Sequence, residues 1–416
     1  METVERVGDT EAAGLLGRYR AAWMPTNNPQ RVLVRGAGSQ LWDAEGKQYT
    51  DFLCGLAVNV LGHCHPAVQH AVSEQLGTLD HISNVFASPT QVALAERLVR
   101  IVRGAKAGGH LDDTSVVAPE QVRVFFTNSG AEANEAAFKL TRLTGRTKIV
   151  AMEGSFHGRT LGALAITSTE KYRKPFEPLP PEVVFVPYGD AAALQAEVDD
   201  SCAAVVLEPI QGENGVVPAP TGYLATAREL TQKVGALLWV DEIQTGLGRC
   251  GEWLVSVADG VLPDIITVAK GLGNGFPVGA CLAIGELANT FTPGAHGTTF
   301  GGNPVAAAAG LAVLDVLETA DLVASANQLG AYLTSALLAT HNPHIIEIRG
   351  RGLLRGIVLD QPVAADLQLA LLNAGWIVNA PRDAVIRIAP PLITTCAEID
   401  AFVTIFIETL NQVMSR

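Results

Sequence analysis

The sequence predicts an α/β sandwich built on a mainly parallel sheet. Seven short apolar runs, rich in β-branched residues, lie between residues 120 and 285, and helix-like stretches separate several of them. Strand and helix in alternation give parallel strands with helices packed on both faces. Composition points the same way. Of 416 residues 48% are apolar and only 17% charged, against roughly 25% charged in an average soluble domain, so the interior is large.

In order, the runs are VRVFFT from Val122, KIVAM from Lys148, VVFVP from Val183, AAVVL from Ala203, ALLWV from Ala236, IITV from Ile265 and ACLAI from Ala280. Each is apolar at nearly every position, which suits strands buried on both faces. AEANEAAFKLTRL from Ala131 and LATARELTQKV from Leu224 are the helices between them. The two chain ends read differently. LWDAEGKQYTDFL looks like a hairpin and EIDAFVTIFIETLNQVM like a terminal amphipathic helix, so both ends are expected to build a smaller α+β lobe. The expected division is residues 1–65 and 311–416 for that lobe and 66–310 for the large domain. AKAGGHLDDTS, Ala105–Ser115, reads as a surface loop.

With 29 Lys plus Arg against 42 Asp plus Glu, the formal charge is −13, the wrong sign for a nucleic-acid binder. The opening METVERVGDTEAAG lacks the basic start and apolar core of a signal peptide, and the six cysteines form no CxxC pair. Reduced thiols in the cytoplasm are expected. Leu287–Leu314 holds no charged residue over 28 positions, long enough to span a bilayer, but five glycines, Pro293 and Pro304 interrupt it. It reads as buried loop followed by helix, and no membrane partner is expected.

Several residues stand out as chemistry. In TNSGAEANEAAFK, Ser129, Gly130 and Ala131 follow a strand and open a helix, where unpaired N–H groups and the helix dipole attract phosphate. Ser129 with Glu132 equally makes a capping box. In ALLWVDEIQTGLGRCG, Asp241 and Glu242 end a buried strand at the edge where open α/β sheets bind ligands, although a structural ion pair would also place them there. Gly246, Gly248 and Gly251 satisfy the G-x-G-x-x-G of a dinucleotide turn, but five residues separate them from the strand. Lys270, one of only eight lysines, closes an apolar run and enters GLGNGF. Apolar surroundings lower a lysine's pKa, as a Schiff-base nucleophile requires; the alternative is a lysine whose head snorkels to water. His63, Cys64 and His65 are adjacent but not spaced for zinc, so no metal is expected. Arg387 is a cation in the apolar strand VIRIAPPL and needs an anionic partner, from protein or substrate.

In this order, a phosphate-sized helix start, an aromatic loop, a strand-end aspartate and a glycine-flanked lysine resemble the pyridoxal-phosphate enzymes of fold type I. In detail the chain resembles the class III aminotransferases from about residue 17 onward. The blocks are LWDAEGKQYTDFLCGLAVNVLGHCHPAV, FFTNSGAEANEAAFKLTR, SFHGRT, LEPIQGENGV, VDEIQTGLGR, AKGLGNGFPVGA and HGTTFGGNP. The resemblance implies a seven-stranded, mainly parallel sheet with helices on both faces, pyridoxal 5′-phosphate as cofactor, and a homodimer with shared active sites. It makes Lys270 the lysine that carries the cofactor and Asp241 the partner of its ring nitrogen. Ser129, Gly130 and Ala131 would hold the phosphate, Phe156 and Ile243 would flank the ring, and Gln244 would bond its phenolic oxygen. Thr299 would reach the neighbouring subunit's phosphate, and Thr298 would lie near substrate. Arg159 would bind the donor's α-carboxylate, with Glu208 and Arg387 handling the carboxylates of the second substrate. Thr26, in MPTNNPQ, stands where relatives carry a tyrosine.

The activity so implied is transamination of the terminal amine of N2-acetylornithine with 2-oxoglutarate, giving N-acetylglutamate 5-semialdehyde and glutamate, a step of arginine biosynthesis. The alternatives are other ω-amines, namely succinylornithine, succinyl-diaminopimelate, ornithine or 4-aminobutyrate, and, further off, a nicotinamide oxidoreductase using the Gly246 turn.

Overall fold

The computed structural model describes residues 9–112, 121–180 and 182–415. All seven apolar runs are strands of one sheet: β1 (Val122–Thr127), β2 (Lys148–Met152), β3 (Val183–Val186), β4 (Cys202–Leu207), β5 (Leu237–Asp241), β6 (Ile265–Val268) and β7 (Gly279–Ile284). Their order across the sheet is β1-β7-β6-β5-β4-β2-β3. Only β7 runs antiparallel, to β6 on one side and β1 on the other. The carboxyl ends of β1, β4, β5 and β6 therefore share one edge.

Side chains alternate across the sheet, which is why the runs are apolar throughout. Val150, Val205, Leu207, Leu238 and Val240 point to the face covered by helix Tyr223–Val234. Ile149, Ala151, Val206 and Trp239 point to the opposite face, where helix Gly130–Arg142 contributes Ala136, Ala137, Phe138 and Leu140. A further layer joins helices Pro66–Thr78, Pro89–Gly104 and Pro304–Thr319. The last of these spans the division expected at residue 310, and Ala307 and Leu314 on either side lie in the same core.

The smaller lobe takes strands from both chain ends. Leu33–Ala37, Gln40–Asp43 and Gln48–Asp51 form an antiparallel meander, and Trp376–Ile377 adds to it in parallel, with Thr50 opposite Trp376. Phe52 then packs edge-on to Trp376 at 5.1 Å and against Phe402 of the terminal helix Cys396–Met414. A second, antiparallel sheet holds Ile345–Arg351, Leu354–Leu359, Val385–Ile388 and Asn379–Arg382 in that order.

Two local expectations need correction. The segment read as a surface loop opens with a hairpin, Ala105–Lys106 against His110–Leu111. The Glu252 carboxylate fixes its turn by accepting the N–H groups of Gly108 and Gly109 at 3.1 and 2.9 Å; Asp113 to Ser115 lie outside the described residues. The uncharged stretch does end in helix Pro304–Thr319, but residues 292–300 before it are mostly exposed rather than buried. They are held on the outside by His296 stacked on Phe125 at 4.8 Å and by Lys139 Nζ donating to the Ala295 carbonyl at 2.7 Å.

Helix Leu322–Ala339 supplies a test of the packing. A glycine inside a helix normally gains about 1 kcal/mol on replacement by alanine. At Gly330 an added Cβ would meet the backbone carbonyl of Gly352, which cannot swing away. Gly330→Ala should therefore destabilise by about 1–3 kcal/mol, read as a lower urea midpoint at unchanged slope. A raised midpoint would show that the lobe yields at this contact.

Candidate active site

The shared strand edge opens into a cavity of about 450 Å³. Ser129, Gly130 and Ala131 line it from the helix start beyond β1, Glu208 from the end of β4 and Asp241 from the end of β5. Ile243 and Gln244 follow Asp241, Phe156 and Arg159 come from the loop after β2, and Lys270 follows β6. Lys270 sits at φ +38°, a left-handed backbone that turns it off the strand. Burial, reinforced by Arg387 and opposed by Glu213, lowers its pKa below the ordinary lysine value.

Ser129 caps the helix, but the capping box is not closed, because Glu132 reaches back to Asn128 and not to Ser129. Ser129 Oγ accepts the Glu132 N–H at 3.2 Å, and Glu132 Oε2 is tied back to the N–H and amide of Asn128 at 2.9 and 2.8 Å. The N–H groups of Gly130 and Ala131 have no acceptor among the described residues. A Cβ at Gly130 would lie 2.8 Å from Ile243 Cδ1, so that side chain would have to shift.

Asp241 and Glu242 separate by strand alternation. Glu242 is fully buried and structural, accepting from Thr245 Oγ1 at 2.5 Å and from Ser256 N and Oγ at 2.7 and 2.9 Å. Asp241 Oδ2 accepts from Asn134 Nδ2 at 2.9 Å and bonds His157 Nδ1 at 2.7 Å, while Oδ1 takes the Ile243 N–H at 3.0 Å. Burial opposes charge on His157, but the hydrogen bond and charge of Asp241, with Glu208 behind, hold its pKa above the usual imidazole value. Glu208 Oε1 accepts the Phe156 N–H at 3.0 Å, and burial pushes its carboxyl up to about 7.

The partner of Arg387 is not Glu208. Arg387 Nη1 bonds Glu213 Oε1 at 2.6 Å and Gln244 Oε1 at 3.4 Å, and Nη2 bonds Asn379 at 2.7 Å. Glu208 ends β4 and is committed to Phe156, whereas Glu213 stands on the far side of Gly212, where the chain has turned toward the small lobe that carries Arg387. Burial raises the Glu213 pKa, but Arg387 outweighs it and holds the carboxyl below the usual range. Arg159 forms no ion pair among the described residues; its guanidinium lies over the Tyr172 ring at 3.4 Å. Thr298 is bonded by Asn128 Nδ2 at 3.2 Å, while Thr299 is exposed and outside the cavity of its own chain. Thr26 is likewise exposed and away from it.

Sequence reasoning missed Glu213, His157 and Asn134. For His157 a signal existed: it follows Phe156 in SFHGRT, and neighbours in an extended segment face opposite ways. The weaker candidates resolve as structure. His63 bonds Asp51 at 2.8 Å, His65 caps helix Pro66–Thr78, and no metal-holding cluster occurs among the described residues. The N–H groups of Gly246, Leu247, Gly248 and Gly251 are all bonded to carbonyls of neighbouring residues, leaving none for a dinucleotide phosphate.

The class-III aminotransferase family profile matches residues 23–410. The chain is a class III aminotransferase. It is 53% identical over 391 residues to the acetylornithine aminotransferase of Mycolicibacterium smegmatis, covering 94% of this chain and 96% of that one. The ornithine aminotransferase of Toxoplasma gondii, whose structure has pyridoxal phosphate partly occupying the active site, superposes with a TM-score of 0.89 at 31% identity, covering 99% of this chain and 96% of that one. N-acetylornithine aminotransferase from Stenotrophomonas maltophilia gives 0.80 at 33% identity, covering 96% and 99%. These are fold type I enzymes. The cofactor of this aminotransferase is accordingly pyridoxal 5′-phosphate, and the site fits it: two free N–H groups at a helix start for phosphate, and a Gln244 Nε2 that is buried without a partner.

The buried acids and imidazole make stability depend on pH in a definite sense. Glu208 goes from an ordinary 4.5 to about 7 on folding, so in that window the folded chain holds a proton the unfolded chain has lost. Its contribution is complete below pH 4.5 and is lost as the pH rises through about 7. His157, raised from 6.5, has the same sign and adds stability that disappears as the pH climbs above that value. Cofactor-free enzyme should therefore unfold more easily at pH 8 than at pH 6, by at most about 1.4 kcal/mol per pH unit for each proton retained. Urea titrations across that range should show a shallower slope in Glu208→Gln; an unchanged slope would remove Glu208 as the titrating group.

Proposed function

We propose that this aminotransferase moves the terminal amine of N2-acetylornithine to 2-oxoglutarate, giving N-acetylglutamate 5-semialdehyde and glutamate. The observation that carries the reading is a division between two guanidiniums. Arg387, bonded to Gln244 in the cavity wall, is neutralised by Glu213, while Arg159 lines that cavity without a carboxylate partner among the described residues. A donor entering by its terminal amine carries its carboxylate far from the reacting carbon, where Arg159 clamps it. 2-Oxoglutarate has a carboxylate beside its carbonyl and needs a second guanidinium there. Glu213 is half-exposed, so it can leave Arg387 when that substrate arrives, exchanging one charge-assisted pair for another. The N-acetyl group is supported by the relatives at about half identity, all named acetylornithine aminotransferases.

The cavity supports the cofactor-holding roles that the resemblance implies. Gly130 and Ala131 N–H, with Ser129 beside them, would face the phosphate, Phe156 and Ile243 would flank the ring, and Gln244 Nε2 would meet the phenolic oxygen. The Asp241 carboxylate, fixed by its three donors, would hold the ring nitrogen protonated. Bound pyridoxal phosphate supplies the electron-accepting ring that lets a proton leave the carbon bearing the amine. Lys270 Nζ, whose pKa is lowered by its dry surroundings, would take up that proton and give it back.

Assembly as a homodimer with shared sites is part of the proposal. Residues 292–300, uncharged and mostly exposed, present Thr299 and a 60% exposed Phe300, and Val85 and Phe86 are exposed at 83% and 65%. A second copy covering them would bring Thr299 to its phosphate. The six unpaired cysteines fit a reducing cytoplasm.

A panel of amines with 2-oxoglutarate tests the substrate: N2-acetylornithine should lead in kcat/KM, and a higher value for ornithine, 4-aminobutyrate or a succinyl amine would displace it. Lys270→Ala should abolish turnover, and borohydride reduction followed by peptide mapping should mark Lys270; a mark on Lys139 would refute its role. Glu213→Gln, by leaving Arg387 unpaired, should slow the donor half-reaction roughly tenfold, the effect of about 1.4 kcal/mol, and spare the 2-oxoglutarate half. Single-turnover rates that fall equally in both halves would reject the exchange.

A further inference from the structure

The segment TEKYRKPFE reads in sequence as a solvated stretch with two surface lysines, yet its tyrosine reaches the active site. Tyr172 lies on the one-turn helix Glu170–Arg173 and is half-buried. Its ring carries the Arg159 guanidinium at 3.4 Å from the centroid, well inside the range of a cation–π contact, and meets the Phe156 ring edge-on at 6.5 Å and 86°. Phe156 is itself 5.5 Å from the same guanidinium. One aromatic side chain thus touches both the carboxylate clamp and the residue that flanks the cofactor ring.

The stack is held from behind. The loop carrying Phe156 and Arg159 is stitched to the segment leading into Tyr172: Gly154 N–H donates to Ser168 Oγ at 2.7 Å, Ser168 N–H to the Ser155 carbonyl at 3.1 Å, and His157 N–H to Thr167 Oγ1 at 2.9 Å. On its other side Arg173 lies over Phe185 of β3 at 4.5 Å. Loop and helix are therefore one rigid unit, and the position of Tyr172 follows from the same bonds that place Phe156.

How Arg159 is held decides what it can still do. An ion pair would fix the guanidinium by spending its N–H edges, the same donors a carboxylate needs. A ring against its face fixes the plane and leaves the edges free. Arg159 has the second arrangement, since it makes no ion pair or hydrogen bond with any described residue. We infer that Tyr172 is a positioning residue for substrate selection: its ring holds Arg159 flat, with unspent donors, for the carboxylate of an amine donor. This rests on the assignment of Arg159 as that clamp. It also explains how an exposed arginine, with costly rotamer freedom, binds in a defined geometry.

Holoenzyme variants test it with two donors that share chain, acyl group and reacting amine: N2-acetylornithine and N-acetylputrescine, which lacks the carboxylate. Tyr172→Leu keeps an apolar body and removes the π face; Tyr172→Phe keeps the ring. Tyr172→Leu should raise KM for N2-acetylornithine roughly three- to thirtyfold, the range of a cation–π contact, with little change in kcat. KM for N-acetylputrescine should stay put, and Tyr172→Phe should behave as wild type. Arg159→Gln is the reference. If it raises KM for N2-acetylornithine alone while Tyr172→Leu does not, the positioning role falls and the clamp stands. If Arg159→Gln leaves the two donors unchanged, the clamp falls and this inference with it. Equal losses for both donors in Tyr172→Leu would make the tyrosine merely structural and overturn the inference.

Discussion

The site depends on one buried carboxylate. Asp241 ends the central strand of the sheet in surroundings where an unpaired charge would be prohibitive, and it is kept there by an amide, an imidazole and a backbone N–H. Those donors come from three parts of the chain. Asn134 belongs to the helix whose first turn faces the phosphate position, and its amide also bonds the His157 carbonyl at 2.7 Å. His157 belongs to the loop that presents Phe156 and Arg159, and Ile243 begins the turn that carries Gln244. Satisfying one carboxylate therefore fixes the relative placement of helix start, aromatic loop and glutamine, and the cavity is what remains between them.

Charge is distributed around that point with a clear gradient. On the buried side, His157 bonds Asp241 with Glu208 behind, and burial raises the glutamate. On the open side the charges are paired across lobes: Glu213 comes from the loop beyond β4 and Arg387 from a strand of the small lobe. The first group is committed to fixed partners in the loop and sheet. The second is an ion pair with one member partly in solvent.

Much of this was legible in the sequence, for reasons that can be named. Seven buried strands announce themselves because both faces of the sheet are covered, which makes every position apolar. Lys270, Asp241 and the start at Gly130 could be found because each breaks such a run at its end. The direction of β7 was a subtler matter. Only ten residues, Ala269 to Val278, join it to β6, too few for a helical crossover of a dozen or more, so the chain returns antiparallel. What could not be read was pairing across distance. Glu208 and Glu213 lie in one motif, and nothing local says which of them faces a strand that begins more than 170 residues later. The exposed run before Pro304 was misjudged because absence of charge signals burial, whereas only a few of its groups, such as His296 against Phe125, pack on the rest of the chain.

The strand Trp376–Ile377 has a consequence for how the chain is made. The N-terminal meander is complete by Asp51, yet its last strand waits for a partner at Trp376, and Phe52 waits for the same tryptophan. At about 5–20 residues per second, a ribosome needs tens of seconds to deliver it. Through that interval Gln48–Asp51 is an open edge, the kind of surface that recruits stray strands. Its glutamine, threonine and aspartate make it a poor recruit for apolar neighbours, so the polar face of this strand protects the nascent chain as much as it serves the finished one.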